Sequence, residues 1–118
     1  MVKHRDAGII EYIKECCEEI ICDTKDVNFN VFINNHLLVN SVTYRILQIG
    51  EEAKHFSPEF LKEYNAVSWK DIKGMRDWVA HGYHTLLLED IYGAATEDVP
   101  ILLEYCNKIL LEFKNKNK

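Results

Sequence analysis

The residues with the clearest chemical potential lie in one segment of eleven residues, 74–84. An arginine binds phosphate through two donors at once, and a histidine can accept or donate a proton near neutral pH. Together they would suffice to cleave RNA without a metal. A base takes the proton of a ribose 2′-hydroxyl while a cation stabilises the charge growing on the phosphate oxygens. The groups in question are Arg76, Asp77, His81, Tyr83 and His84.

A simpler interpretation of the same segment is structural. Arg76 and Asp77 would then be solvated surface charges, and His81 would cap a helix C-terminus, where the dipole favours a cation. Helical geometry adds a constraint, because five positions at about 100° each separate two side chains by about 140° around the axis. Arg76 and His81 therefore converge only if the helix ends near His81, or if the site lies in a cleft between elements or subunits.

The spacing of His81 and His84 also resembles that of paired metal ligands on one helical turn. Gly82 stands between them, and a glycine commonly ends a helix. No acidic residue stands at the spacing of a zinc protease. We therefore expect neither a metal ion nor another cofactor. Tyr83, beside this glycine, is either a packing or turn residue or an exposed phenol open to modification.

Helices must position these groups, because helical periodicity dominates the chain and no segment alternates apolar and polar residues as a half-buried strand does. Five glycines and two prolines leave few breaks. The predicted fold is all-α: an antiparallel bundle of three long helices plus a short helical insert. We expect helices over residues 6–22, 28–55, 58–64, 69–80 and 88–114.

Local signals mark where these helices begin or bend. Ser57 before Pro58 is an N-cap followed by a first-turn proline. Ser68, with Asp71 three residues later, resembles a reciprocal capping arrangement. Pro100 should kink or divide the last helix. Apolar residues at steps of three and four predict the buried seams, which are Ile9, Ile13, Cys16 and Ile20; Val39, Val42, Ile46, Ile49, Ala53 and Phe56; and Val99, Leu102, Cys106, Ile109 and Phe113.

Composition limits what such a bundle can do. The chain has 118 residues, with 14 Lys or Arg against 19 Asp or Glu, for a formal net charge of −5. A protein that grips nucleic acid over a broad surface is usually basic, so this balance leaves room only for a small, local RNA site. No apolar run approaches the roughly 20 residues of a membrane span, and residues 1–10 do not resemble a signal peptide. We expect one domain over residues 1–118, located in the cytoplasm.

The motif segment resembles the HEPN superfamily, and within it the HepT toxin branch. The superfamily pattern is an arginine, a polar residue and then a histidine, and Arg76, His81 and Tyr83 meet its HepT form, R-x4-H-x-Y. The approach to the arginine, VSWKDIKGMR at 67–76, is similar to that of the family. A second similarity to the family lies in the second helix, in the stretch RILQIGEEA at 45–53. The family's shorter form of this stretch reads IGEA, whereas this sequence reads IGEEA. The likeness extends over nearly the whole chain.

This resemblance implies an all-α homodimer whose two R-x4-H motifs line a cleft at the interface. It implies a metal-independent RNA endonuclease, the toxin of a type VII-like toxin–antitoxin pair. The partner would be a minimal nucleotidyltransferase antitoxin of the MntA type, which would transfer AMP from ATP to Tyr83. Leu37, Leu38 and Leu47, outside the main seam of the second helix, are compatible with dimerisation.

The resemblance also assigns roles to the motif residues. Arg76 would hold the scissile phosphate, His81 would be the acid–base group, and Asp77 would orient one of them. The alternative for the chain as a whole is a non-catalytic helical module that binds and restrains a nucleotidyltransferase.

Residues near the motif or matched elsewhere have weaker assignments. Arg45 and Glu51 would be supporting or interface groups, with simple packing of the bundle as the alternative. Lys73 and His84 are close enough in sequence to help bind phosphate.

Overall fold

A computed structural model describes residues 4–72 and 86–116 of the chain. Every regular element in these residues is a helix, and none of the helices there is long and apolar enough to cross a membrane. The all-α prediction is therefore confirmed for this part of the chain. The elements are α1 (His4–Thr24), α2 (Phe29–Ile33), α3 (His36–Ala53), α4 (Pro58–Glu63), α5 (described over 69–72), α6 (Leu86–Gly93), a π-helix (Ala94–Asp98) and α7 (Val99–Lys116).

The core forms where α1 packs against both α3 and α7. The predicted seam of α1 is buried, with Ile13 and Ile20 fully inaccessible to solvent. The seams of α3 and α7 are buried against it through residues such as Ile46 and Cys106, whereas Val39 and Phe113 are only partly buried. The three long helices predicted from apolar spacing are thus present, and α1 is the central one.

The second predicted helix is divided in the structure. Residues 28–55 form α2 and α3 rather than one helix. The side-chain oxygens of Asn28 and Asn35 accept hydrogen bonds from the backbone N–H groups of Val31 (2.9 Å) and Leu38 (3.1 Å). An asparagine that caps a new helix competes with continuation of the preceding one. The prediction of a single long helix was wrong for this reason.

The last predicted helix is present, and Pro100 does not divide it: α6, the π-helix and α7 follow one another from Leu86 to Lys116 without a non-helical residue. After α6 the backbone widens into a π-helix, in which the N–H of Val99 donates to the carbonyl of Ala94, five residues back. Pro100 follows immediately and has no N–H to donate. The wide turn therefore lies beside the position where a regular α-helix loses a hydrogen-bond donor.

The short insert, α4, begins at the predicted cap. The hydroxyl oxygen of Ser57 accepts a hydrogen bond from the N–H of Phe60 at 3.2 Å. Phe60 stacks on Phe56 with ring centroids 4.0 Å apart. Further rings surround this pair and join α4 to α5 and α7. We call this group the aromatic cluster; its members are Phe56, Phe60, Tyr64, Trp69 and Phe113.

Candidate functional site

Most of the predicted site belongs to the segment between α5 and α6, at residues 73–85. This segment lies outside the described residues, so the assignments made there stay predictions. Of the predicted site residues, the structure places Arg45 and Glu51. The assignments that lie outside the described part of the chain are those of Lys73, Arg76, Asp77, His81, Tyr83 and His84.

The start of the predicted helix 69–80 is described, over residues 69–72. The hydroxyl of Ser68 donates to the carboxylate of Asp71 at 2.8 Å, and the backbone N–H of Ile72 donates to the carbonyl of Ser68 at 3.1 Å. Both contacts stabilise the first turn of a helix. The predicted helix start at residue 69 is confirmed, with the cap made partly through a contact between two side chains.

Trp69 anchors this first turn to α4. Its indole N–H donates to the carbonyl oxygen of Tyr64 at 2.7 Å. Its ring lies 4.8 Å from that of Phe56 and 5.7 Å from that of Phe60, and the side chain is buried. A buried ring with a satisfied N–H resists reorientation, so the position of α5 relative to α4 is well defined where α5 begins.

Asp6 forms a buried polar contact that the sequence analysis missed. Its carboxylate accepts hydrogen bonds from the backbone N–H of Ser57 (2.8 Å) and from the Ser57 hydroxyl (2.6 Å), and its side chain is 0% exposed. The contact joins the first turn of α1 to the cap of α4. The spacing of residues in the sequence could have indicated this burial. Asp6 precedes Ile9 by three residues and Ile13 by seven, so it lies on the same buried face of the helix.

Arg45 on α3 binds two acidic residues of α1. Its Nε lies 2.5 Å from Glu19 and its Nη1 lies 2.7 Å from Asp23, while Nη1 also donates to the Ser41 hydroxyl at 2.8 Å. Burial alone would lower the pKa of Arg45, but the hydrogen bonds to Asp23 and Glu19 outweigh it and raise the pKa. These contacts favour the packing interpretation of Arg45.

Glu51 lies six residues further along the same helix. Its carboxylate pairs with Lys54 at 3.6 Å, and both side chains are more than one-third exposed. An exposed pair at this spacing contributes a few tenths of a kcal/mol. The pair by itself gives Glu51 no chemical role.

A pocket of about 390 Å³ lies between α3, α5 and α7. Its described walls are largely apolar, with Asp71 and Asp98 as acidic residues, and none of the described residues that line it is basic. Phosphate binding needs cations or free backbone N–H groups. The described walls of this pocket therefore suit an apolar group better than a phosphate.

Comparison with known families decides what kind of chain this is. A family model described as HepT-like, "Ribonuclease HepT-like", matches residues 9–109. The chain belongs to the HepT-like ribonuclease family. The resemblance found in the motif residues is thereby confirmed, because the matched range contains residues 76–83 as well as most of α1 and α7 and the whole of α3.

Relatives of this HepT-like chain carry related names. "Putative RNase TTE0752" of Caldanaerobacter subterraneus is 30% identical over 105 residues, which cover 89% of this chain and 94% of the relative. "Gamma-glutamylcyclotransferase and putative RNase MJ0434" of Methanocaldococcus jannaschii is 35% identical over 109 residues, 92% of this chain and 49% of that protein. "Probable ribonuclease HepT" of Thermococcus cleftensis is 26% identical over 99 residues, 84% of this chain and 88% of that protein. No solved structure matches the chain significantly.

Proposed function

We propose that this chain is a metal-independent RNA endonuclease that acts as the toxin of a toxin–antitoxin pair. The observation that carries the proposal is the family match over residues 9–109, because this range includes Arg76, His81 and Tyr83 at the spacing R-x4-H-x-Y. The names of the relatives support ribonuclease chemistry.

In the proposed reaction His81 accepts the proton of a ribose 2′-hydroxyl, and the 2′-oxygen attacks the adjacent phosphorus. The bond to the 5′-oxygen of the next nucleotide breaks, and that oxygen takes up a proton. Arg76 is a permanent cation with parallel donors, suited to hold the phosphate oxygens on which charge grows. Asp77 accepts a hydrogen bond from Arg76 or His81 and so orients it.

The proposed site forms between two copies of the chain. On one ideal helix Arg76 and His81 point about 140° apart, so a cleft between two motifs is a direct way to bring both groups to one phosphate. A dimer also supplies two histidines. One His81 can then act as the base while the His81 of the other copy protonates the leaving oxygen.

The anchored start of α5 supports this arrangement. Trp69 precedes Arg76 by seven residues, which is about two helical turns. Its buried hydrogen bond to Tyr64 and its contacts in the aromatic cluster hold the first turn in place. Catalytic groups need support of this kind, since small errors in their position reduce the rate strongly.

The supporting residues keep lesser roles in the proposal. Lys73 and His84 flank the motif and would add positive charge near the bound phosphate. Arg45 acts through packing, because both of its ion pairs join α3 to α1. Glu51 remains a candidate interface group, two residues before the end of α3.

The proposed partner is a nucleotidyltransferase antitoxin that adds AMP to Tyr83. Each phosphate adds about one negative charge and considerable bulk. Two residues from His81, such a group would occupy the phosphate site and repel RNA. Mass spectrometry of the toxin co-expressed with its neighbouring nucleotidyltransferase tests this, with the mass increasing in steps of one AMP and Tyr83→Phe abolishing the increase. An unmodified toxin that the partner still neutralises would show inhibition by binding alone.

The cleavage proposal is tested with purified protein, RNA and an excess of chelator. We expect cleavage to persist without divalent metal and to fall by roughly 10²–10⁴-fold in His81→Ala. His55→Ala is the matched control, because His55 is an exposed histidine outside the motif, and it should cleave at the wild-type rate. Full activity in His81→Ala with an intact circular dichroism spectrum would refute the assigned mechanism.

One observation favours a second candidate, the non-catalytic module. The formal charge of −5 is unfavourable for RNA and leaves an acidic surface open to a protein partner. This candidate predicts tight binding to the nucleotidyltransferase with no RNA cleavage and no toxicity on expression. The toxin proposal predicts growth arrest that His81→Ala relieves.

A further inference from the structure

The outward side of α2 and α3 carries almost no charge. From residue 27 to residue 50 the sequence contains one Lys, Arg, Asp or Glu, which is Arg45, in a chain that is 28% charged. The side chains that project to solvent from this stretch are amides and apolar groups, together with the imidazole of His36. We call them the uncharged face; its principal members are Asn30, Val31, Asn34, Leu37, Asn40 and Tyr44.

Large apolar side chains are concentrated on this face. Val31 is 52% exposed, Leu37 83% and Tyr44 59%, and they make up three of the five large exposed hydrophobic residues in the described part of the chain. Leu37 and Tyr44 are seven residues apart on α3, so they point the same way two turns apart. Val31 and Leu37 line one shallow depression with the neighbouring asparagines.

An exposed surface with apolar groups and no charge has the composition of an interface. The centres of protein interfaces are depleted of charged residues and enriched in tyrosine and other large apolar groups. RNA would not select this surface, because the one Lys or Arg between residues 27 and 50, Arg45, is already paired with Glu19 and Asp23 of α1.

We propose that the uncharged face is where a second copy of this chain docks to form the homodimer. The proposal deepens the homodimer in the proposed function and rests on it. In a twofold dimer the same patch faces itself, so a charged patch would set like charges against each other. Two copies that each carry a net charge of −5 need a neutral surface on which to meet.

Asparagine also suits a surface that pairs with itself. Its side chain carries both a donor group and an acceptor oxygen, so an amide can bond to the same amide of the other copy. Carboxylates offer only acceptors and ammonium groups only donors. The three asparagines of the face, Asn30, Asn34 and Asn40, are therefore compatible with twofold symmetry in a way that charged residues are not.

Sedimentation equilibrium of the full chain tests the surface. The wild type is expected to sediment at twice the 13.8 kDa chain mass. Leu37→Glu places a charge on both sides of the interface and should raise the dimer dissociation constant by roughly 100-fold. Tyr44→Glu should act in the same direction. Leu37 is so exposed that the folded monomer should tolerate the change, and thermal unfolding followed by circular dichroism checks this.

Ile101→Glu is the matched control, since Ile101 is a similarly exposed apolar residue, at 55%, on α7. It should leave the dissociation constant unchanged. A dimer that Leu37→Glu and Tyr44→Glu do not weaken, or that Ile101→Glu weakens equally, would overturn this surface while leaving the RNA-cleavage proposal intact. A wild type that stays monomeric would overturn both the surface and the homodimer. In a third outcome, Leu37→Glu weakens the dimer, Ile101→Glu does not, and the protein cleaves no RNA. That outcome would uphold the surface and refute the nuclease.

Discussion

Among the described residues, α1 makes polar contacts with later elements near both of its ends, and these contacts differ in burial and in the charge of the donor. Near its N-terminal end, Asp6 accepts two hydrogen bonds from Ser57 with no exposed surface. Near its C-terminal end, Glu19 and Asp23 receive Arg45, but their side chains are 57% and 40% exposed. In both cases carboxylates of α1 bind donors of a later element.

The difference shows how solvent determines the value of a polar contact. An exposed ion pair exchanges water for a partner at little net gain, with a median contribution of about 0–1 kcal/mol. A buried donor or acceptor that loses its partner has no water to replace it, and the penalty is about 1–3 kcal/mol for each group. We therefore expect the Asp6 contact to matter much more for folding than the Arg45 contacts, although each comprises two hydrogen-bonded contacts with α1.

The largest effect is expected for Asp6→Ala. This change leaves the buried N–H of Ser57 without its acceptor and should lower the free energy of unfolding by about 3 kcal/mol, measured by urea denaturation. Asp6→Asn keeps one carbonyl oxygen in place and should recover part of the loss. If Asp6→Ala lowered the free energy of unfolding by less than Arg45→Gln does, the expected ranking of the two contacts would be contradicted.

Ser57→Ala should have an intermediate effect. It removes one of the two hydrogen bonds to Asp6 and the cap of α4 together, at a combined cost of about 1–2 kcal/mol. Ser68→Ala is the matched control, because its hydroxyl bonds to Asp71 in an exposed cap and should cost about half as much. Equal losses in the two variants would mean that burial adds nothing to the Ser57 contact.

Arg45→Gln should have a small effect on stability. The expected loss is about 0.5–1 kcal/mol, and it should shrink further in high salt, because exposed ion pairs are screened. A double-mutant cycle with Glu19→Gln measures the coupling of the pair directly. A coupling free energy above that of Asp6 and Ser57 would reverse the ranking of the two contacts.

An effect confined to high pH is expected from Tyr12, which lies on α1 between the two contacts. Burial, with the neighbouring Cys16 thiol, raises the pKa of Tyr12 from 10.0 to about 12. Because the folded state holds this proton more tightly, the stabilisation is complete below pH 10 and is lost as the pH rises to about 12. Denaturation of wild type and Tyr12→Phe at several pH values across this range measures it. Parallel declines in the two proteins would exclude Tyr12 as the source.

Local patterns predicted the helices well where one short-range signal acted alone. The Ser57 cap and the helix start at Ser68 each depend on contacts within a few residues, and both are confirmed. The prediction failed at Asn35, where helical periodicity and a capping side chain disagreed. The periodicity favoured one helix, but the cap started a new one.

The candidate site divides in a similar way. The spacing of Arg76, His81 and Tyr83 is a property of the sequence, and it was enough to indicate a family that the comparison confirms. Arg45 was matched in the same way, yet its ion pairs with α1 show a packing contact that no motif reveals. A motif identifies residue types and intervals, whereas the partner of a side chain depends on how distant elements pack.

The sequence by itself therefore determined the helical class, the buried seams, most helix starts and the R-x4-H-x-Y motif, because each depends on residues close together in the chain. The tertiary structure alone decided that Asp6 meets Ser57, 51 residues away, and that the Tyr92 hydroxyl donates to the carbonyl of Val27, 65 residues away. It also decided which apolar residues of α3 stay exposed: Leu38 and Leu47 pack against the core, while Leu37 does not. Such outcomes depend on which surfaces exclude water together, and that is settled only when the helices pack.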